Sequence, residues 1–329
     1  MAEPANTPAL AELAVVRRSG LVESRHLGAL LALDADGSVA AALGPVDEPV
    51  LPRSTAKPLQ AVACLLAGAP LEGPALAIAA GSHTGTDAHV EVVRAVLAEA
   101  GLGEDALRCP EDRPQDEATR DALVRAGEGP SRVRMNCSGK HAAMLLACRV
   151  NGWSTEDYLA PGHPLQQRVR AVSAELTGTP VTADAVDGCG APLFGTTVRG
   201  LATAFRALHR AGPGEPAGRV AAAVRAHPEF VGGPGHPNTE LVRRVPGALA
   251  KGGAEGVLGV AGPGGQAVAL KVADGNPRAT TLVALEVLAG FGVDVSGAQE
   301  LRVVPVLGGG VRVGEIAPGT ALTAWAATR

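Results

Sequence analysis

Hydrophobic and polar positions alternate along residues 12–18 and again from 27 to 44, where Asp34-Ala35-Asp36-Gly37 interrupts the apolar runs 27–33 and 38–43. A period of two marks a strand, and the Asp/Gly turn predicts a hairpin. Beyond it the period lengthens. Residues 58–69 form an apolar, helix-favouring run opened by Pro58, and Asp87 is placed to cap a helix carrying Val90, Val93 and Leu97 on one face. Between them the short apolar run 76–80 ends in the polar turn Gly81-Ser82-His83-Thr84-Gly85. Further helices are predicted over 142–150, 164–176, 197–211, 216–226 and 278–288, and short strands over 248–251, 256–260, 266–272, 301–307 and 311–315. Segment 109–115 reads as loop, and the Gly/Pro-rich segment 232–237 as a mobile loop or lobe boundary.

Strands at both ends of the chain with helices between them predict an α+β fold, an antiparallel sheet built from both chain ends and packed with a helical region. At 329 residues and 46% hydrophobic, the chain suffices for a single catalytic domain over 1–329 or two closely packed lobes, with 1–10 a flexible N-terminus. Aromatics at 2% leave Ala, Val and Leu to fill the core. A net charge of −4 with no basic cluster argues against a nucleic-acid or anionic-membrane partner. No apolar run reaches membrane-spanning length, and residues 1–10 lack the pattern of a secretory signal, so a cytoplasmic location is expected. The five cysteines, Cys64, Cys109, Cys137, Cys148 and Cys189, are odd in number and widely spaced, which fits reduced thiols better than a disulfide framework.

Of the 29 basic residues only Lys57, Lys140, Lys251 and Lys271 are lysine. A lysine does what arginine cannot where an amine must lose its proton, so all four are candidates for chemistry. Ser54 and Lys57, three apart at a helix start, fall on one face, a nucleophile beside a possible base. Ten serines and four lysines would give about 0.1 such pairs by chance. Ser82 has no local partner but can meet Lys271 or Lys251 in space. The run Asn136-Cys137-Ser138-Gly139-Lys140-His141 gathers polar and ionisable groups at a helix N-terminus, where the dipole favours anions and lowers a thiol pKa. A bland alternative is that Ser138 caps the helix and Cys137 is a small buried hydrophobe. Asp187-Gly188-Cys189-Gly190 is either a tight turn presenting a thiol or a plain loop with a buried one. Two thiolates suit Zn²⁺, yet no C-x-x-C or H-E-x-x-H is present, so spacing alone does not define a metal site.

Taken together, Arg53-Ser54-Thr55-Ala56-Lys57-Pro58-Leu59-Gln60, Asn136 to His141, Gly162-His163-Pro164, Asp187 to Pro192, Gly253-Ala254-Glu255-Gly256 and Lys271 with Asp274-Gly275 resemble, in order, the L-asparaginase II family of the rhizobial type. The resemblance implies a serine β-lactamase-like fold, hydrolysis of L-asparagine to L-aspartate and ammonia, and a homodimer. It implies two Ser-Lys tandems, Ser54 with Lys57 and Ser82 with Lys271, and a zinc ion held by Cys137, Cys189 and Lys140. Arg53, Asn136, His141 and Asp187 are the expected substrate anchors. Gly235-His236-Pro237-Asn238-Thr239 departs from the family where an arginine and an aspartate are expected, and Lys251-Gly252-Gly253 stands for a Lys-Thr-Gly-like stretch. The alternatives are a penicillin-recognising serine hydrolase, which shares S-x-x-K, and a non-catalytic amino-acid-binding relative.

Overall fold

The computed structural model describes residues 9–329, so the tail expected over 1–10 lies, up to residue 8, outside the described residues. Five strands from the N- and C-terminal ends, β1 (Ala11–Arg18), β2 (Leu21–Leu33), β3 (Val39–Leu43), then β7 (Val304–Gly308) and β8 (Val311–Pro318), join β4 (Leu249–Gly253), β5 (Val257–Ala261) and β6 (Ala267–Val272) in one antiparallel sheet. Its order is β7-β8-β1-β2-β6-β5-β4, with β3 also paired to β2. The register Ala14↔Pro318 and Leu30↔Leu270 ties the two chain ends together. The expected α+β arrangement, a sheet built from both ends, is the one observed.

The helices are α1 (Lys57–Leu66), α2 (Gly73–Ala79), α3 (Asp87–Glu99), α4 (Glu117–Arg125), α5 (Ser138–Asn151), α6 (Pro164–Thr177), α7 (Val198–Arg210), α8 (Pro216–Ala226), α9 (Pro237–Arg244), α10 (Thr280–Gly290) and α11 (Thr320–Ala326). Successive residues of β2 face opposite sides. Ala29, Leu31 and Leu33 cluster with Val198, Leu201 and Ala202 of α7, whereas Leu30 and Ala32 belong to the larger core that includes Leu282, Val283 and Leu285 of α10. Helix α5 is buried from Ser138 to Cys148 and forms the centre of the helical region. None of these helices is long and apolar enough to cross a membrane, among the described residues.

Three local readings differ from the sequence pattern. The short apolar run at 76–80 is the end of α2, where Pro74 in the first turn starts a helix too short for its period to show. Strand β2 begins at Leu21 rather than 27, because its polar first half still pairs with β1 through Arg17↔Val22 and Val15↔Arg25. The segment 232–237 is packed rather than loose: the carbonyls of Val231, just before it, and of Gly232 accept from the backbone N–H groups of Ser82 and Thr84 at 2.8 and 2.7 Å. A Cβ on Gly81 would stand 2.4 Å from the Phe230 carbonyl oxygen. Only glycine permits that approach. Gly81→Ala is therefore expected to lower stability by about 1–3 kcal/mol, read as a drop in the urea midpoint, and an unshifted midpoint would contradict this packing.

Candidate active site

The polar loop after α2 brings Ser82 against two lysines. Lys57 Nζ donates to Ser82 Oγ at 2.9 Å and to the Asn136 carbonyl at 3.2 Å. Lys251 Nζ, from the edge strand β4, lies 2.9 Å from the same Ser82 oxygen and donates to the Gly252 carbonyl at 2.5 Å. Both lysines are fully buried, at 1% and 0% exposure. The Ser82 partner expected from the sequence, Lys271, is elsewhere. Its amine donates to the Glu255 and Val272 carbonyls at 2.8 and 2.5 Å, at the rim of β6, so the Ser82–Lys271 pair is corrected to Ser82–Lys251. The physical reason is position on the sheet: Lys271 closes β6 beside the Asp274-Gly275 turn, whereas Lys251 lies two strands away at the edge facing Ser82.

Burial pushes the Lys57 amine down from its ordinary value, opposed by negative charge at Cys137 and aided by the charge of Lys140. Burial, with the neighbouring Lys57 charge, pushes Lys251 further down, well below the ordinary value. Two ammonium groups on one oxygen in a dry site repel one another, so at least one lysine is neutral. Counting hydrogens then assigns roles. A neutral Lys57 amine spends its two N–H groups on Ser82 and Asn136 and keeps a lone pair, and Ser54 lies one helical turn before it. The Ser82 oxygen, engaged by two amines, is committed to the network.

Ser54 sits in the 3₁₀ turn Arg53–Ala56 that feeds α1, with Pro58 in the first turn of the helix. It is half-buried and opens, together with Ser82, onto a cavity of about 680 Å³. Strand β4 passes close by: a Cβ on Gly253 would stand 3.0 Å from Ser54 N and 2.9 Å from the Pro52 carbonyl oxygen. Gly252 N, on the free edge of β4, donates to Asn238 Oδ1 at 2.9 Å. Ala254, the first residue of the turn after β4, also lines the cavity.

The expected anchors divide. Asn136 lines the cavity. Arg53, held at φ +50°, donates through Nε to Asp187 Oδ1 at 2.7 Å, so the two form a pair. Burial alone would raise the Asp187 carboxyl, but this bond and the charge of Lys140 hold it low. His141 is corrected: it is fully buried, its Nδ1 lies 2.7 Å from the Tyr158 hydroxyl, and it does not line the cavity. On helix α5 it follows Lys140, and its ring turns into the core with Tyr158.

Two further cavity residues carry no signal that spacing alone could reveal. His236 Nδ1 accepts from Asn238 N at 3.2 Å at the start of α9, which leaves the ring proton on Nε2 as a donor. Burial, with the charges of Lys251 and Lys57, holds this histidine neutral at a pKa of about 4. Asn238 fixes the β4 edge from the other side.

Cys137, Lys140 and Cys189 meet where the N-terminus of α5 faces the hairpin Asp184–Val186 and Pro192–Phe194. Lys140 Nζ lies 3.0 Å from Cys189 Sγ, and Cys137 Sγ lies 3.0 Å from Asn136 Oδ1. All three residues are buried. The neighbouring Cys137 side chain and the Lys140 charge bring Cys189 down to about 5 against its burial, while Cys189 and burial hold Cys137 up at about 12. Burial would lower Lys140, but the charges at Cys189 and Cys137 raise it instead. Two sulfurs and one amine on a single dry spot form a donor set that fits Zn²⁺, provided Lys140 gives up its proton on binding. Ser138 does not cap α5: its hydroxyl donates to the Val133 carbonyl at 2.7 Å and sits 2.9 Å from His83 Nε2.

Comparison with known proteins adds the following. The crystal structure of Mglu in its native form is similar at 15% identity over 82% of this chain and 65% of that one, with a TM-score of 0.47. Mglu in its tris and glutamate form is similar at 15% identity over 88% and 64%, TM-score 0.47. A β-lactamase from Mycobacterium bovis is similar at 15% identity over 80% and 94%, TM-score 0.44. The chain spans just under two thirds of the Mglu chains that it matches. No curated protein matches this sequence. The family model described as L-asparaginase II matches residues 14–318, and the chain belongs to that family.

Proposed function

We propose that this amidohydrolase-family chain hydrolyses L-asparagine to L-aspartate and ammonia through an acyl ester on Ser54. The observation that carries the reading is the shared oxygen: Ser82 Oγ within 2.9 Å of two buried lysine amines, beside a second serine open to the cavity. Ser54 Oγ attacks the side-chain amide carbon, and its proton passes to the free lone pair of Lys57. The C–N bond breaks as that proton reaches the departing nitrogen, and water then cleaves the ester with Lys57 again as base. Burial keeps Lys57 neutral, and Ser82 and Lys251 exchange protons with it. The backbone N–H of Ser54, on the turn that passes β4, is the donor assigned to the developing oxyanion. Asn136 and the His236 Nε2–H are the cavity's neutral donors for the substrate's polar groups, and the Arg53–Asp187 pair holds the turn that presents Ser54.

Cys137, Cys189 and Lys140 would hold one zinc ion. An ion bound there would supply positive charge and keep both thiols ionised. The test is a single panel on the purified chain: ammonia release from L-asparagine, L-glutamine and β-aspartyl compounds, with metal content by elemental analysis. The expected result is ammonia from L-asparagine and about one zinc per chain, with the metal lost in Cys137→Ser and Cys189→Ser. No ammonia from any amide would overturn the activity. Zinc-free protein that is fully active would overturn the metal. Stoichiometric labelling by a fluorescent penicillin would move the reading to the β-lactam alternative.

A further inference from the structure

The cavity is far larger than the substrate named above. L-asparagine, with roughly the bulk of five waters at ~30 Å³ each, fills about a fifth of the 680 Å³. The lining is also divided. Ser82, Asn136, His236 and Asn238 bring polar groups to the lysines' side, Leu301, Val303, Val304 and Pro305 form one continuous apolar stretch, and the polar Asn276, Thr280 and Thr281 also belong to the lining. The charged side chains that line it, among the described residues, are Arg278 and Glu300. Both are engaged: Arg278 Nε donates to His26 Nε2 at 3.0 Å, and Glu300 Oε2 accepts from Arg244 at 2.9 Å. The stretch 301–305 thus gives the cavity an apolar arm.

We propose that this arm receives an apolar substituent on the nitrogen of the scissile amide, so that the chain cleaves N-alkyl amides of the L-aspartate side chain as well as the unsubstituted amide. The inference rests on the reading of Ser54 as nucleophile. The step balances in the same way: the Ser54 Oγ–C bond forms, the C–N bond breaks, and the proton taken by Lys57 goes to the departing alkylamine. Water then releases L-aspartate from Ser54. Placing the substituent on the leaving nitrogen keeps the acyl half identical to that of asparagine, so the polar end of the cavity meets the same groups.

The arm makes a graded prediction. Alkylamine leaving groups differ little in basicity along a homologous series, so a change in rate with chain length reports burial and not chemistry. Each methylene taken from water into an apolar wall is worth roughly a fourfold gain in kcat/KM. N4-ethyl-, propyl-, butyl- and pentyl-L-asparagine, assayed by amine release beside L-asparagine itself, are expected to climb in that proportion until the arm is full. Val304→Trp, which fills the arm from β7, is expected to cut the pentyl-to-ethyl ratio of kcat/KM at least tenfold, with folding checked by its thermal midpoint. A flat or falling series on an enzyme that cleaves L-asparagine overturns the arm and leaves the asparaginase reading standing. A rising series untouched by Val304→Trp also overturns it, since the substituent then lies elsewhere. If neither asparagine nor any N-alkyl amide is cleaved, the reading beneath it fails and the inference goes with it.

Discussion

Ser54→Ala is expected to lower kcat for L-asparagine by roughly 10⁴-fold or more while leaving the cavity and the Lys57–Ser82–Lys251 network in place. The Ser82 oxygen is already engaged by two amines, so it is not expected to take over the attack. Ser82→Ala is expected to cost less, roughly 10²-fold, because Lys57 loses a partner but retains the Asn136 carbonyl. The two variants thus rank the serines. Mass spectrometry of protein quenched during turnover should find the added acyl mass on a peptide containing Ser54. An active Ser54→Ala enzyme with a dead Ser82→Ala one would transfer the attack to Ser82 and require the two lysines to exchange roles.

The positions of 54 and 57 at one helix start were legible because the spacing is local, but the partner that the Lys57 amine takes is Ser82, 25 residues on, which no local pattern shows. The thiols and Lys140 were legible for a related reason, since Cys137 and Lys140 share a helix face and Cys189 stands in a glycine-bounded turn. The second tandem was not. Lys251 and Lys271 both sit on strands near the chain's end, and choosing between them depends on sheet order, β6-β5-β4, which no local pattern fixes. A weak signal did exist. Lys251 lies between Ala250 and two glycines, a run that lets another backbone approach, whereas Lys271 precedes an Asp-Gly turn at the rim.

The fold shows the same division. Strands 12–18, 266–272 and 311–315 and most helices follow from period and capping, because burial of one face is written directly into side-chain alternation. Segment 232–237 looked mobile because glycine and proline dominate it, yet those residues are there for close contact. A Cβ on Gly233 would stand 2.1 Å from Thr84 Oγ1, and the segment's carbonyls hold the Ser82 loop. Composition reports conformational freedom of the chain. It does not report whether tertiary contacts have used that freedom to bring two backbones together.

Lys57→Arg should be nearly as damaging as loss of the nucleophile, roughly 10³–10⁴-fold in kcat/KM, and raising the pH should not rescue it. The guanidinium keeps its positive charge throughout the accessible range, so it can hydrogen-bond to Ser82 but never accept a proton from Ser54. In the unaltered chain the sign runs the other way. Burial lowers the folded pKa of Lys57 and of Lys251, so the neutral base is present above that depressed value and disappears as pH falls through it. Activity should therefore rise with pH and reach its plateau below the ordinary lysine value of 10.5. Stability follows the same sense. Between the depressed folded pKa and the ordinary one, the unfolded chain binds protons that the native chain does not, so the urea midpoint rises with pH across that window. Part of that slope should be missing from Lys57→Met. An acid limb that persists unchanged in Lys57→Arg would assign the titration to another group and take the base away from Lys57.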